Sequence, residues 1–381
     1  MMDLEIEAIT RASEIQLRNK QLKNMLYDEY SKKIKRSETI IEEFVDILGV
    51  DNVYVSTSGG KDSACLSDLC KKLFPDIKHV MFDTGLEYQQ TLELAKKQGA
   101  DIIPPKTSWL KFCWEKGFPV GSKQVSKRIH DTRVSPVGAC ITLFSKNYGL
   151  SDKWLHFLDD HFVDFPISHR CCDEFKKSPS IKMNLSPIIG TRIVESNLRK
   201  SAWKKSGCNS YNLNYTHGVS RPLSLWLDED IDAYVNENNI ELSEIYTQYQ
   251  AKRTGCVNCP YGAHLDDISR FDLLKEIEPK RYEYFMKTKL KRILALSDVD
   301  INSDSDYMRY KKRWQKVIVK WRKRNKSNDK FLAWKVKLLL SLYPEEYALE
   351  ALHHINTQSH GSLKYPYEDI IYTIKSFGDK H

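Results

Sequence analysis

The chain has 381 residues, 41% of them hydrophobic, with 59 Lys and Arg against 51 Asp and Glu, a formal charge of +8. That length and apolar content exclude a disordered chain and favour about two or three structural units. The opening Met1-Met-Asp-Leu-Glu-Ile-Glu carries acids where a secretory signal carries Lys or Arg, and no apolar run approaches the roughly 18 residues of a membrane span; a cytoplasmic protein with no membrane partner is expected.

Residues 3–34 are rich in Glu, Lys, Leu, Ile and Arg without Pro or Gly and read as helix. A second helix is expected over Ser37–Leu48 on periodicity alone, because the capping box at Ser37 fails: its third position is Ile40, not Glu or Gln. Strands and helices then alternate. Val53–Ser56 reads as strand, Asp62–Leu73 as helix, His79–Phe82 as strand, Glu87–Gln98 as helix and Ala100–Ile103 as strand. Short strands separated by helices imply crossover units and a parallel sheet, which binds ligands at the carboxyl ends of its strands. From Ser108 to Phe165 the chain is mixed and basic, with Lys123, Lys127, Arg128 and Arg133 around a Gly- and Pro-containing loop. Leu185–Gly190 reads as a further strand, Val194–Lys205 as helix, residues 251–264 as a cysteine-bearing loop, and the chain beyond as helical and basic. The expected fold is α/β, a doubly wound, mostly parallel sheet, divided into N-terminal helices over 1–49, a nucleotide-binding domain over 50–265 and a helical C-terminal domain over 266–381.

Ser58-Gly-Gly-Lys-Asp-Ser63 lies between the first strand and its helix, where an anion site needs it. Gly59 and Gly60 let the backbone turn tightly and approach phosphates, and the first N–H groups of the helix point at negative charge. Ser58 and Ser63 add hydroxyls and Lys61 a compact positive charge. The Gly-x-x-x-x-Gly-Lys-Ser/Thr loop of P-loop NTPases does not fit, because residue 55 is Val and Asp62 follows the lysine. A plain Gly-Gly turn is the competing reading. The second strand ends in Phe82-Asp83-Thr84-Gly85 in the same crevice, where Asp83 suits a ribose hydroxyl or magnesium and the backbone of Met81 and Phe82 an adenine edge.

Nine cysteines, irregularly spaced, argue for reduced thiols or metal ligands over a disulfide framework. Cys256 and Cys259 form a Cys-x-x-Cys in a Gly- and Pro-bounded loop, and the adjacent pair Cys171 and Cys172 stands 83 residues before it. Four thiolates around one metal centre are the leading reading. A structural zinc site and a redox dithiol at Cys256 and Cys259 remain open beside it. Cys65, Cys70, Cys113, Cys140 and Cys208 read as small core side chains.

The Ser-Gly-Gly-x-Asp-Ser loop resembles the PP-loop of the adenine nucleotide alpha-hydrolase superfamily, and within it the phosphoadenylyl-sulfate and adenylyl-sulfate (PAPS/APS) reductase branch. Gly190-Thr-Arg192-Ile-Val-Glu195-Ser196-Asn-Leu-Arg199 is similar to that branch's Gly-x-Arg-x-x-Glu-Ser-x-x-Arg segment. The resemblance covers residues 50–265. It implies ATP, cleaved between its α and β phosphates with magnesium, or a sulfonucleotide (APS or PAPS), bound by Ser58, Gly59, Gly60, Lys61, Asp62, Ser63, Asp83 and Gly85. It gives Lys61, Asp62, Arg192 and Arg199 catalytic roles, the arginines at phosphate or sulfate, and makes Cys171, Cys172, Cys256 and Cys259 the ligands of a [4Fe-4S] cluster. The branch's reductases use a cysteine in a C-terminal segment, and here no cysteine follows Cys259. Sulfur transfer to a nucleic acid, of the DNA phosphorothioation or tRNA thiolation type, is therefore expected ahead of sulfonucleotide reduction with a partner's thiol. A cysteine desulfurase or thioredoxin-type protein would donate the sulfur.

Between Tyr307 and Lys330 eleven Lys or Arg stand against one acid, with Tyr307, Tyr310, Trp314 and Trp321 at helical spacing. Such a segment suits a polyanion. A solvated face is the plainer alternative, and a non-catalytic nucleotide or redox sensor that binds nucleic acid is a third function class.

Overall fold

The computed structural model describes residues 21–158, 163–214, 216–251, 255–266, 269–297, 299, 312, 316, 329–357, 363 and 365–378. The expected N-terminal helix lies outside them up to residue 20, as does the basic segment 307–330 apart from Lys312, Lys316 and the helical residues 329–330.

In chain order, the elements around the expected nucleotide crevice are α1 (Tyr30–Leu48), β1 (Val53–Ser56), α2 (Lys61–Leu73), β2 (His79–Phe82), α3 (Gln89–Lys97) and β3 (Asp101–Ile103). They are followed by β4 (Ser186–Ile189), α4 (Asn197–Ser206), β5 (Asn209–Tyr211), β6 (Gly218–Ser220) and α5 (Asp228–Glu237). The strands form one sheet in the order β3-β2-β1-β4-β6-β5, parallel throughout except for β5 against β6. Short apolar strands alternating with amphipathic helices leave no other way to bury both faces of such a sheet. The order reverses between β1 and β4, so the ligand crevice is expected at their carboxyl ends.

Two compact units divide the chain: residues 1–106 with 175–256, and residues 107–174 with 257–381. This differs from the three consecutive segments expected, for a physical reason. Helix α1 is no separate prelude, since Ile41, Phe44, Val45 and Leu48 share one core with Val53, Val55, Cys65, Leu66 and Ile188 of the first unit. Nor does α1 begin at Ser37. That serine is buried mid-helix, donating to Pro222 O at 2.9 Å and accepting from Trp226 Nε1 at 2.9 Å.

The second unit is helical where the sequence reads as a mixed loop. Helices Trp109–Lys116, Lys123–Val134 and Pro136–Phe144 are each capped by a serine, Ser108, Ser122 and Ser135, whose hydroxyl accepts a first-turn N–H. Edge-to-face aromatic pairs, Trp109 with Phe118 at 5.9 Å and with Phe285 at 6.2 Å, tie this insertion to the later helices of the same unit. Among the described residues, no helix is long and apolar enough to cross a membrane.

Candidate functional site

At the carboxyl end of β1 the chain enters the phosphate loop and turns directly into α2, which starts at Lys61 with Gly60 as its N-cap. Gly59 has φ +70, and a Cβ there would stand 2.0 Å from Thr91 Cγ2, so only glycine fits the turn. Ser63 Oγ closes the loop from inside by donating to Gly60 O at 2.9 Å and accepting from Ser58 N at 3.2 Å. From the neighbouring β4, Gly190 brings its backbone so close that an added Cβ would lie 3.0 Å from Asp62 O. The two expected phosphate segments therefore meet at the sheet's switch point.

Arg192 follows Gly190 and is 8% exposed. Its Nε donates to Asp62 Oδ2 at 3.0 Å and its Nη2 meets Asp228 Oδ1 at 2.7 Å, while Nη1 is buried with no hydrogen-bond partner among the described residues. A buried guanidinium N–H left over at the mouth of a phosphate loop is a donor that a bound oxyanion would satisfy. Burial raises the pKa of the Asp62 carboxyl, against the pull of Arg192. Lys61 Nζ pairs with Asp232 Oδ1 at 2.9 Å and stands over the Tyr246 ring at 5.9 Å. Arg199 pairs with Glu195 one turn before it on the chain. All three expected cations thus lie in the first unit with a carboxylate partner.

The end of β2 is a tight turn. Asp83 Oδ1 accepts from Gly85 N at 2.7 Å and so holds the turn, in which Gly85 has φ +74. The buried carboxyl beside it is Glu87, which accepts from Thr84 N at 2.8 Å and from Thr84 Oγ1 at 2.8 Å. Burial raises the Glu87 pKa, and hydrogen bonding with Asp83 raises it further. Thr84 Oγ1 also lies 3.7 Å from the sulfur of Cys256. Asp228, Asp232 and Glu87 are the site residues that sequence reasoning misses. The acidic run Asp228-Glu-Asp-Ile-Asp232, at the N-terminus of α5, is the signal that could have found two of them.

In the second unit Cys171, Cys172 and Cys259 all bear electrostatically on Tyr261, whose hydroxyl burial pushes to a high pKa. Cys113, expected to be an isolated core thiol, is raised by burial and also feels Cys171 and Cys259. The indole Nε1 of Trp109 donates to Cys171 Sγ at 3.2 Å. Arg270 secures the Cys-x-x-Cys loop, its Nη1 donating to Cys259 O at 3.2 Å and Tyr261 O at 3.3 Å while Asp266 takes the rest of the fork. Cys256 belongs to the first unit. None of the nine cysteines forms a disulfide among the described residues.

A single metal ion needs its ligands converging on one point. Among the described residues no three His, Cys, Asp or Glu side chains are gathered that way. A four-iron cluster makes a different demand, because its thiolates bind separate irons and stand apart around the cluster. In the second unit one sulfur takes an indole N–H, and the buried amide of Asn258 has no hydrogen-bond partner among the described residues. Thiolate sulfur is the donor such a cluster takes, and the sequence supplies four candidates for it.

Residues 52–101 match the model of the phosphoadenosine phosphosulfate reductase domain. That stretch holds the phosphate loop and the turn of Asp83 and Gly85. An uncharacterised protein of Methanocaldococcus jannaschii is 23% identical over 271 residues, 67% of this chain and 52% of its own length, so the chain spans about half of that relative. The crystal structure of phosphoadenylyl-sulfate (PAPS) reductase from Candida auris, in a phosphate complex, is 15% identical, covers 60% of this chain and 95% of its own, and superposes with a TM-score of 0.35. The phosphate loop at the switch point of the parallel sheet thus lies inside the stretch that is similar to the phosphoadenosine phosphosulfate reductase domain.

Proposed function

We propose that the chain binds ATP at the β1–β4 switch point, cleaves it between the α and β phosphates, and uses the adenylated intermediate for sulfur transfer to a nucleic acid. The observation that carries the nucleotide part is the unpartnered Nη1 of buried Arg192 beside the phosphate loop. In this reading the N–H groups opening α2 and Lys61 hold the phosphates of magnesium-bound ATP. An acceptor oxygen attacks the α-phosphorus, and the bond to the α–β bridging oxygen breaks. Its electron pair leaves with pyrophosphate. Arg192 lies where charge grows on the α-phosphate, and Asp62 holds its fork in place. A sulfur nucleophile then displaces AMP from the adenylated acceptor. Cys171, Cys172, Cys256 and Cys259 would hold a [4Fe-4S] cluster. When bound, such a cluster supplies a centre that passes electrons or carries a sulfur.

The acceptor reading is supported by charge. Helix α4 carries Arg199, Lys200, Lys204 and Lys205 with no acid and buries none of its residues. It is anchored by half-buried Trp203 against Leu22, Ile193 and Leu225. An exposed basic helix that follows directly on the Arg192 segment suits a phosphodiester strand, as does the basic composition of 307–330. The family match favours a second reading, reduction of a sulfonucleotide with a thiol from a partner.

One experiment separates them. Protein purified without oxygen is assayed for iron and sulfide, then for pyrophosphate release from ATP with and without tRNA or DNA, and for sulfite release from APS and PAPS. Pyrophosphate release stimulated by nucleic acid supports sulfur transfer. Sulfite without pyrophosphate establishes the second reading in its place, and nucleotide binding with neither product leaves a sensor.

A further inference from the structure

Among the described residues, the large apolar side chains that the second unit exposes are, apart from Val134, all aromatic: Trp114, Tyr148, Tyr284, Tyr347 and Tyr372. The first unit exposes mostly aliphatic ones, such as Ile181, Leu198 and Leu213. Tyr148 is 47% exposed and carries a cation, the Arg128 guanidinium lying 5.9 Å from its ring centroid. The backbone beneath the two is pinned. Tyr148 N donates to Ser145 Oγ at 3.1 Å, Leu150 N to Thr142 O at 2.9 Å, and Thr142 Oγ1 to Arg128 O at 3.2 Å. The ring is therefore presented with little left to order on binding.

Charge selects the partner. Helix Lys123–Val134, which bears Arg128, has four Lys or Arg against one acid, Asp131, and Lys127, Arg133 and Lys146 are exposed. No carboxylate pairs with Arg128 among the described residues, whereas Lys61, Arg192 and Arg199 of the first unit each hold one. An accessible ring beside a guanidinium with no acid on it suits a base on the ring and its phosphate on the cation. Inside a duplex both faces of a base are covered by its neighbours. We propose that Tyr148 and Arg128 form a stacking site for an unpaired nucleotide, so that the nucleic acid bound by this protein is single-stranded or looped there. The inference rests on the nucleic-acid reading above and names the form of that partner.

The test uses the full chain with a fluorescein-labelled single strand and with its duplex, read by anisotropy, for wild type, Tyr148→Ala, Tyr148→Phe and Arg128→Gln. Wild type is expected to prefer the single strand. Tyr148→Ala should weaken that binding about 5- to 150-fold, as loss of one stacked base requires, while Tyr148→Phe keeps the ring and binds like wild type. Arg128→Gln should lower the slope of log affinity against log salt by about 0.7, one phosphate of a single strand. A second measurement needs no variant to fold: a single strand carrying a photoreactive thiouridine should crosslink to the wild-type peptide that contains Tyr148. Unchanged single-strand affinity in Tyr148→Ala, a preference for duplex, or crosslinks confined to α4 overturns the inference and leaves the nucleic-acid reading standing. Wild type that binds neither form overturns that reading, and the inference with it.

Discussion

Gly59→Ala tests the geometry of the phosphate loop most directly, because two separable costs meet at one atom. The first is conformational: at φ +70 an alanine pays about 1–2 kcal/mol for the left-handed region. The second is steric. The new Cβ stands 2.0 Å from Thr91 Cγ2, and relieving that overlap in a packed position costs about 1–3 kcal/mol. Loss of unfolded-state freedom returns about 0.4–1 kcal/mol, leaving a net destabilisation of about 1–4 kcal/mol. Only the steric part depends on Thr91, which is buried and belongs to α3. Thr91→Ser deletes the offending methyl while keeping the hydroxyl, at about 1 kcal/mol by itself. Urea unfolding of the four proteins in the cycle should give a favourable coupling of about 1–3 kcal/mol, and ATP affinity should recover only partly in the double variant. Strict additivity, or a Gly59→Ala protein as stable as wild type, would refute the reasoning.

Asp232→Asn frees Lys61 from its partly exposed partner, and calorimetric titration should show ATP binding up to about fivefold tighter, the exchange value of a pair worth at most about 1 kcal/mol. Lys61→Ala should weaken the same binding about 10- to 100-fold, as loss of a charged hydrogen bond of about 1.5–3 kcal/mol requires. The raised pKa of Glu87 has a definite sign: its ionised form costs the fold stability, a cost absent below the ordinary carboxylate pKa and growing as pH rises through the raised one. Glu87→Gln should flatten that decline, seen as a smaller loss of unfolding free energy between acid and neutral pH than wild type shows. Replacing Lys200, Lys204 and Lys205 with Gln should lower the slope of log affinity for nucleic acid against log salt by about 2–3, at about 0.7–0.9 for each phosphate no longer neutralised. An unchanged slope in filter binding would remove α4 from the interface.

The strands are legible to the residue where the chain alternates cleanly. Val53–Ser56 and His79–Phe82 are bounded as their composition says, because short apolar runs between Gly- and Asp-bearing turns have little else to do. Helix α1 shows the limit: Ser37 reads as a start, and only Pro222 and Trp226, 185 and 189 residues away, make it a buried mid-helix residue. The helices over 109–144 escape a reading of the sequence although their N-caps are written in the chain as Ser108, Ser122 and Ser135-Pro136. In Lys123–Val134 the basic residues obscure the period. At the site, cations and glycines are visible as a motif, whereas Glu87 gains its character from burial against Thr84, which no spacing rule encodes. The two-unit division is equally hidden, since an insertion that packs on distant helices leaves no compositional mark where it begins.

Each cation of the crevice has a carboxylate partner. Lys61 is held by Asp232, Arg192 by Asp62 and Asp228, and Arg199 by Glu195. Polyphosphate binding is therefore an exchange of partners, and each exchange returns less than the bare attraction between a cation and a phosphate. The carboxylates differ in what they surrender. Asp228 and Asp232 have exposed side chains, 84% and 57%, and lose little by releasing a cation to solvent-screened freedom. Asp62, in the first turn of α2, is only partly exposed, with its ionised form already penalised by desolvation, and stays with Arg192. Arg192 can therefore keep Asp62, give up Asp228 and use its unpartnered Nη1, presenting two nitrogens of one rigid fork to an oxyanion. That asymmetry between Arg192 and Lys61 follows from how exposed their carboxylate partners are.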